Sequence, residues 1–156
     1  MLEDSEVARV ADRMRRLCSR REYCRSDIYR KVSEALDGDA EKAATVLDML
    51  VEERYVDDRR YAEAYARDKS ALSGWGVSKI RYMLSMKGIS RDVMDAALEG
   101  IDGGKAAVRL EKLLENKYRT LSGGPQCRLK MLRFGLGRGY GYDEVDAIVS
   151  RLMKCK

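Results

Sequence analysis

Apolar residues recur at intervals of three and four positions along almost the whole chain, and runs of alternating β-branched residues are absent. This spacing is typical of helices that bury one face. The chain has a single proline, Pro125, so short polar or glycine-containing breaks separate the apolar stretches instead. The pattern therefore predicts an all-α fold.

The breaks divide the chain into three groups of three predicted helices. In the first group, a helix with an apolar stripe over residues 7–17 ends in the charged stretch through Glu22. Ser26–Asp27 is typical of a helix N-cap, and Asp37–Gly38 of a helix stop. A third helix is predicted from about residue 39 to residue 53.

The second group follows the same plan. Asp57–Asp58 is predicted to cap the fourth helix, Gly74–Trp75–Gly76 breaks the chain, and Ser78 is predicted to cap the fifth helix. Gly88 ends that helix, and the sixth helix is predicted over residues 90–98.

The third group begins near Asp102, breaks at residues 123–125 and ends with a helix around residues 145–152. The predicted boundaries of the three repeats are residues 1–56, 57–100 and 101–156. Lys87–Gly88–Ile89 resembles Arg138–Gly139–Tyr140, which lies 51 positions later. Repeats of this length indicate helical modules stacked along an axis.

Two glycines depart from this regular plan. Gly135 and Gly137 lie where the middle helix of the third group, predicted through Leu129, Leu132 and Phe134, is expected to continue. In an exposed helix interior each glycine costs about 1 kcal/mol relative to alanine. We therefore expect the third repeat to be bent or loosely held at this point.

The composition argues against an enzyme. The absence of histidine removes the commonest general base, and the four cysteines have no CxxC spacing and no histidine to complete a mixed zinc site. Gly103–Gly104–Lys105 is too short for a phosphate-binding loop, and the glycine-rich stretch 135–141 has the wrong spacing for a dinucleotide fingerprint. We therefore predict no catalytic residue, no metal and no cofactor.

The cysteines and the N-terminus bear on location. The four cysteines, Cys18, Cys24, Cys127 and Cys155, are predicted to be reduced thiols. Residues 1–14 lack the apolar core of a signal peptide, and no later stretch is suited to span a bilayer. The sequence predicts a cytoplasmic protein without membrane contact, and a monomer, since no heptad seam is present.

Charge alternates in sign along the chain. Residues 13–31, 67–91 and 117–141 carry net charges of +6, +5 and +6, whereas residues 32–66 and 92–116 carry −6 and −3. Each positive block contains the middle helix of one group, so stacked groups would present one basic stripe, which favours a polyanion. The residues predicted to contact DNA or a filament are Arg25, Arg30, Lys31, Lys79, Arg81, Lys87, Arg128, Lys130, Arg133 and Arg138. The alternative is that solvated helix faces in a charge-rich chain look blocky by chance.

Base-specific recognition has little support. Tyr23, Tyr29, Tyr82 and Tyr140 lie in the positive blocks and could stack on single-stranded bases, but tyrosines at helical spacing more often pack in a core. We expect recognition of a nucleic-acid backbone or of a filament rather than of base sequence.

Several segments resemble the RecX recombination regulators. The string VEERYVDDRRYA at residues 51–62 resembles the central signature of the family, residues 75–80 and 86–89 resemble its next helix and Lys-Gly stop, and residues 132–134 and 138–140 resemble its third-repeat motif. The resemblance spans roughly residues 15 to 153. The signature residues, which we interpret as mainly structural, are Asp57, Asp58, Tyr61, Trp75, Gly76, Ile80 and Gly88.

The resemblance implies three tandem three-helix repeats in an elongated, curved molecule that contacts the RecA nucleoprotein filament. Family members restrain the recombinase, ATPase and coprotease activities of RecA in DNA repair and the SOS response, and several bind single-stranded or double-stranded DNA.

Two other functional classes stay open. A general DNA-binding protein would have no filament preference, and a helical adaptor would bind protein alone.

Overall fold

The computed structural model describes the backbone of residues 2–154 and the side chains of residues 5–154. This part of the chain forms nine helices and no strand, which confirms the all-α prediction. The helices are α1 (Leu2–Arg20), α2 (Arg25–Ala35), α3 (Ala40–Glu52), α4 (Asp58–Ala71), α5 (Val77–Met86), α6 (Arg91–Glu99), α7 (Gly103–Leu121), α8 (Cys127–Gly137) and α9 (Tyr142–Lys154). Cys18, Cys24 and Cys127 are free thiols, and Cys155 lies outside the described residues.

Three hydrophobic cores follow one another in chain order. Helices α1 to α3 pack around Met14 and Leu50, helices α4 to α6 around Ile80, and helices α7 to α9 around Leu114 and Met131. Full burial of one such side chain contributes about 1.5–3 kcal/mol. Each group of three helices therefore has its own apolar interior, and the groups are joined by more polar contacts.

Helix α4 begins with the side-chain cap that the sequence predicts, and α6 begins with a cap at Ser90, a residue that the sequence predicts to lie inside the helix. The Asp57 carboxylate accepts hydrogen bonds from the backbone N–H groups of Arg59 and Arg60 at 2.9 and 3.2 Å. The Ser90 hydroxyl accepts one from the Val93 N–H at 3.4 Å. Such caps satisfy N–H groups that have no partner within the first helical turn.

The predicted caps of α2 and α5 are wrong. Each helix begins one residue before the predicted serine, so Ser26, Asp27 and Ser78 lie inside the first turn and neither helix has a side-chain cap. The reason is tertiary, because the N-termini of both helices contact a neighbouring group. The Ser78 N–H donates to the Gly139 carbonyl at 3.1 Å, and the Asp27 carboxylate accepts a hydrogen bond from Lys87.

The middle helices of the three groups, α2, α5 and α8, contact one another end to end. The start of α2 meets the turn after α5, where the Ser26 hydroxyl donates to the Lys87 carbonyl at 2.7 Å. The start of α5 meets the turn after α8, where the Gly76 N–H donates to the Arg138 carbonyl at 2.7 Å. We call these three helices and their C-terminal turns the middle-helix row. It brings the three positive blocks of the sequence into succession.

Gly135 is buried inside helix α8, which runs unbroken to Gly137. A Cβ atom on Gly135 would lie 2.6 Å from Cγ1 of Val145 on α9. The missing side chain therefore lets α9 approach the backbone of α8 closely. The glycine does not interrupt the helix, and it serves the packing of α9 on α8.

Candidate polyanion interface

All ten basic residues predicted to contact a polyanion lie on the middle-helix row, either on α2, α5 and α8 or at Lys87 and Arg138, which follow α5 and α8 directly. The structure divides them into three sets by what their side chains contact. One set pairs with carboxylates, another lies over aromatic rings, and the third makes neither contact. The sets differ in how much charge they offer to a ligand.

Three of the ten cations pair closely with carboxylates of the same chain. Arg81 lies 2.7 Å from Asp95, Lys87 lies 2.7 Å from Asp27, and Arg128 pairs with Asp146. Arg30 makes a weaker ion pair, because its Nη2 atom lies 4.0 Å from the Asp27 carboxylate. A cation that already has a carboxylate partner attracts an incoming phosphate less strongly.

The pair between Lys87 and Asp27 joins the first and second groups. The Asp27 side chain is only 7% exposed, whereas that of Lys87 is 35% exposed. Burial opposes ionisation of Asp27, but the hydrogen bond from Lys87 holds the pKa of Asp27 below its ordinary value. The junction therefore depends on Lys87, because removing this residue would leave the buried Asp27 carboxylate without its ion-pair partner.

Lys31, Lys79 and Arg138 lie over aromatic rings. Their cationic groups are 5.5 Å from the Tyr23 centroid, 4.4 Å from the Trp75 centroid and 5.3 Å from the Phe134 centroid, respectively. Each ring also carries a second cation that the sequence interpretation missed: Arg21, Lys69 and Lys117, respectively. Only Arg21 lies close to its ring in the sequence, two positions before Tyr23, whereas Lys69 and Lys117 reach their rings through the fold.

Arg25, Lys130 and Arg133 are exposed on the middle-helix row. Within the part of the chain that the structure describes, their side chains make no hydrogen bond or ion pair. The backbone N–H of Arg25 is engaged, however, because it donates to the carboxylate of Asp58 at 2.8 Å. These three side chains present the least compensated charge of the predicted set.

The signature residues make mainly internal contacts. Tyr61 and Ile80 are buried in the second core. Asp58 joins the second group to the start of α2 through its bond from Arg25, and Gly88 adopts a φ of +75° where α5 ends. A positive φ is readily accessible to glycine, which explains this residue at the turn.

The second junction depends on close backbone contact. A Cβ on Gly76 would lie 2.4 Å from the Gly139 carbonyl oxygen, and a Cβ on Gly139 would lie 2.4 Å from Cβ of Lys79. The Tyr140 hydroxyl donates to the Gly74 carbonyl at 3.0 Å. Burial raises the pKa of Tyr140, which keeps the hydroxyl protonated as a donor.

Among the described residues there is neither a cluster of metal ligands nor a membrane-spanning helix. No three His, Cys, Asp or Glu side chains come together there in a way that could hold a metal ion. Over the same residues, no helix combines the length and the apolar character needed to cross a bilayer.

Comparison with known sequences points to one family. The family description "RecX, second three-helix domain" matches residues 57–98. The chain is 30% identical over 158 residues to the regulatory protein RecX of Cronobacter sakazakii, with 92% of each chain covered. It is 37% identical over 119 residues to the regulatory protein RecX of Clostridium botulinum, with 74% of this chain and 55% of that protein covered. The chain thus spans about half the length of such clostridial relatives.

Solved structures show the same fold. A crystal structure of a regulatory protein RecX superposes with a TM-score of 0.82 at 25% identity, covering 93% of this chain and 72% of that one. RecX from Lactobacillus salivarius superposes with a TM-score of 0.80 at 22% identity, covering 96% of this chain and 97% of that one.

Proposed function

The chain belongs to the RecX family, and from that premise we propose that it binds the RecA nucleoprotein filament and modulates, mainly by inhibition, the recombinase, ATPase and coprotease activities of RecA. It acts by binding rather than by catalysis, in the cytoplasm, during DNA repair and the SOS response. The name shared by its relatives, regulatory protein RecX, supports a regulatory role.

The observation that carries this proposal is the middle-helix row with its unpaired cations. Arg25 lies at the start of α2, and Lys130 and Arg133 lie on α8, so exposed positive charge occurs on the first and last helices of the row. These side chains would release the counterions condensed on the phosphate groups of DNA, which favours binding at low salt. The remaining surface would contact the protein subunits of the filament.

The proposed mechanism is occupancy. Three repeats at residues 1–56, 57–100 and 101–156, arranged as an elongated and curved monomer, lie along the filament or at its growing end. Bound there, the protein blocks subunit addition or favours a filament state with slow ATP turnover. The size of the second effect is limited by the difference in affinity for the two filament states.

The decisive experiment titrates the protein into RecA hydrolysing ATP on single-stranded DNA and compares this with its binding to the same DNA without RecA, measured by fluorescence anisotropy. We expect ATP turnover to fall at concentrations well below those that saturate naked DNA. Inhibition only at saturating concentrations would indicate a general DNA-binding protein. Inhibition without DNA affinity at low salt would indicate an adaptor that binds protein alone.

Charge reversal tests the electrostatic part of the proposal. The double variant Lys130→Glu/Arg133→Glu should weaken filament binding about tenfold or more at low salt, because two attractive contacts become repulsive. Lys105→Glu/Lys112→Glu is the matched control, since both lysines are exposed on α7 outside the row. Equal inhibition by the two double variants would contradict the role of the middle-helix row.

A further inference from the structure

Each of the three groups of helices contains one aromatic ring with two cations close to it. Arg21 and Lys31 lie 4.6 and 5.5 Å from the Tyr23 centroid, Lys69 and Lys79 lie 4.7 and 4.4 Å from the Trp75 centroid, and Lys117 and Arg138 lie 5.4 and 5.3 Å from the Phe134 centroid. We call these three arrangements the two-cation sites. All six cations come from the three positive blocks of the sequence.

None of these six cations has a carboxylate partner among the described residues. Their own polar contacts are with carbonyl oxygens: Arg138 donates to Ser73 at 3.0 Å, and Lys79 lies 3.5 Å from the Gly137 oxygen. Elsewhere the chain does compensate such charges, for example by pairing Arg15 with Glu53 at 2.8 Å. The two-cation sites are therefore places where positive charge is gathered and left without a compensating anion.

The position of the sites recurs along the fold. Tyr23 lies two residues before the first residue of α2, and Trp75 lies two residues before the first residue of α5. Phe134 lies within α8, and its partner Arg138 reaches across the second junction. All three rings consequently lie on the middle-helix row or immediately before one of its helices.

Two cations on one ring repel each other, and a cation–π contact near the surface is weak. A phosphate oxygen placed between the two cations would relieve the repulsion and make charge-assisted hydrogen bonds. We propose that the three two-cation sites bind phosphates along one polynucleotide backbone. This inference rests on the proposed function, because it names the residues that hold the DNA of the filament.

A polynucleotide suits the arrangement better than an acidic protein segment. The sites belong to three consecutive helical groups, so a ligand must carry regularly repeated negative charge over a long distance to engage all of them. A nucleic-acid backbone has this property whatever its sequence. The sites accordingly predict binding with little base preference and a steep dependence on salt.

Trp75 is the only tryptophan in the chain, so its fluorescence reports directly on the central two-cation site. Oligothymidylate added to the whole 156-residue chain should change the Trp75 emission saturably and in a salt-sensitive way. In fluorescence anisotropy, Lys69→Gln/Lys79→Gln should bind the oligonucleotide at least about tenfold more weakly at low salt. Its log–log salt slope should be shallower by about 0.7, since the contact to one single-stranded phosphate is lost.

The matched control is Lys105→Gln/Lys112→Gln, which removes two exposed lysines from α7 and should bind within about twofold of the unaltered protein. Lys69→Arg/Lys79→Arg should restore most of the affinity because it keeps both charges. If Lys69→Gln/Lys79→Gln loses helical circular dichroism, Arg21→Gln/Lys31→Gln at the Tyr23 site carries the same prediction.

Unchanged affinity and salt slope in the folded Gln variants would overturn the inference. Emission that responds to polyglutamate and not to oligothymidylate would also overturn it, in favour of an acidic protein partner.

RecA ATPase assays run in parallel separate the two proposals. If the unaltered protein fails to inhibit RecA but the Gln variants lose DNA affinity, the proposed function fails and the two-cation sites stand. If the variants inhibit RecA normally and keep their DNA affinity, the two-cation sites fail and the proposed function stands.

Discussion

The two junctions that join the groups of helices occupy equivalent places and use different chemistry. At the first junction, side-chain charges make the contact: Lys87 pairs with Asp27 at 2.7 Å, and Arg60 pairs with Glu22 at 2.7 Å. At the second junction, the Gly76 N–H donates directly to a backbone carbonyl. In both places the start of one middle helix meets the turn after the next.

The same arrangement of neighbouring helical groups can therefore be stabilised either by charged side chains or by direct backbone contact. Charged side chains reach across a wider gap, and their contribution depends on pH and salt. Backbone contact needs neighbouring glycines and is insensitive to pH, but it has no room for an added methyl group. The first junction should therefore respond to ionisation, and the second to steric change.

The largest effect is expected from Gly139→Ala at the second junction. Gly139 has a φ of +98°, and its added Cβ would lie 2.4 Å from Cβ of Lys79. Strain and overpacking together should lower the free energy of unfolding by about 3 kcal/mol. Urea denaturation followed by Trp75 fluorescence measures this. Gly137→Ala is the control, since a Cβ there meets open space, and a comparable loss in that variant would show that the close contact is not the cause.

A smaller effect is expected from Lys87→Met at the first junction. The substitution leaves the carboxylate of Asp27 buried without its cation, which should cost about 2 kcal/mol near pH 7. Because the folded-state pKa of Asp27 is lowered, the stability from this pair is present above the ordinary pKa of 3.8 and is lost as pH falls through the folded value. Urea denaturation at pH 7 and pH 3 should thus show the difference from the unaltered protein shrinking in acid.

Arg81→Met provides the comparison for that variant. It removes a pair with Asp95 in which both side chains are nearly half exposed, so the cost should be at most about 1 kcal/mol. A cost for Lys87→Met no larger than this, or one independent of pH, would show that the first junction does not rely on its buried carboxylate.

The smallest effect is expected from Tyr140→Phe, which removes one hydrogen bond from the second junction while keeping the ring. Loss of the donor to the Gly74 carbonyl should cost about 1 kcal/mol. The cost should be the same at pH 7 and pH 3, because no group in this contact titrates over that range. A pH-dependent cost, measured by the same urea denaturation, would remove the contrast between the two junctions.

Much of the fold could be predicted because helix formation depends on nearby residues. The third helix, predicted over residues 39–53, forms over Ala40–Glu52 with Asp39 as its cap. The predictions failed for Ser26 and Ser78, whose helices begin where another group supplies the contacts. Local sequence resembles a cap in all these cases, and only the distant partner distinguishes them.

In the candidate interface, too, some features are visible in the sequence and others arise only when the chain folds. The positive blocks are visible in the sequence, but the sequence does not reveal that Lys87 pairs with a carboxylate 60 positions away while Lys130 stays exposed. Lys69 was missed because it lies on α4, outside the middle helices, and reaches the Trp75 ring only in the folded chain. Counting charge along a chain does not show which charges are compensated.

By itself, the sequence determined the helices, their order in three groups and the alternation of charge, since each depends on residues within a few helical turns of one another. Three features follow only from the tertiary structure. Asp27 contacts a neighbouring group instead of capping its helix, and Gly135 makes room for the side chain of Val145. Pairs of cations also meet at single aromatic rings. Most of these outcomes depend on contacts between separate helices, and such contacts exist only after the helices have packed.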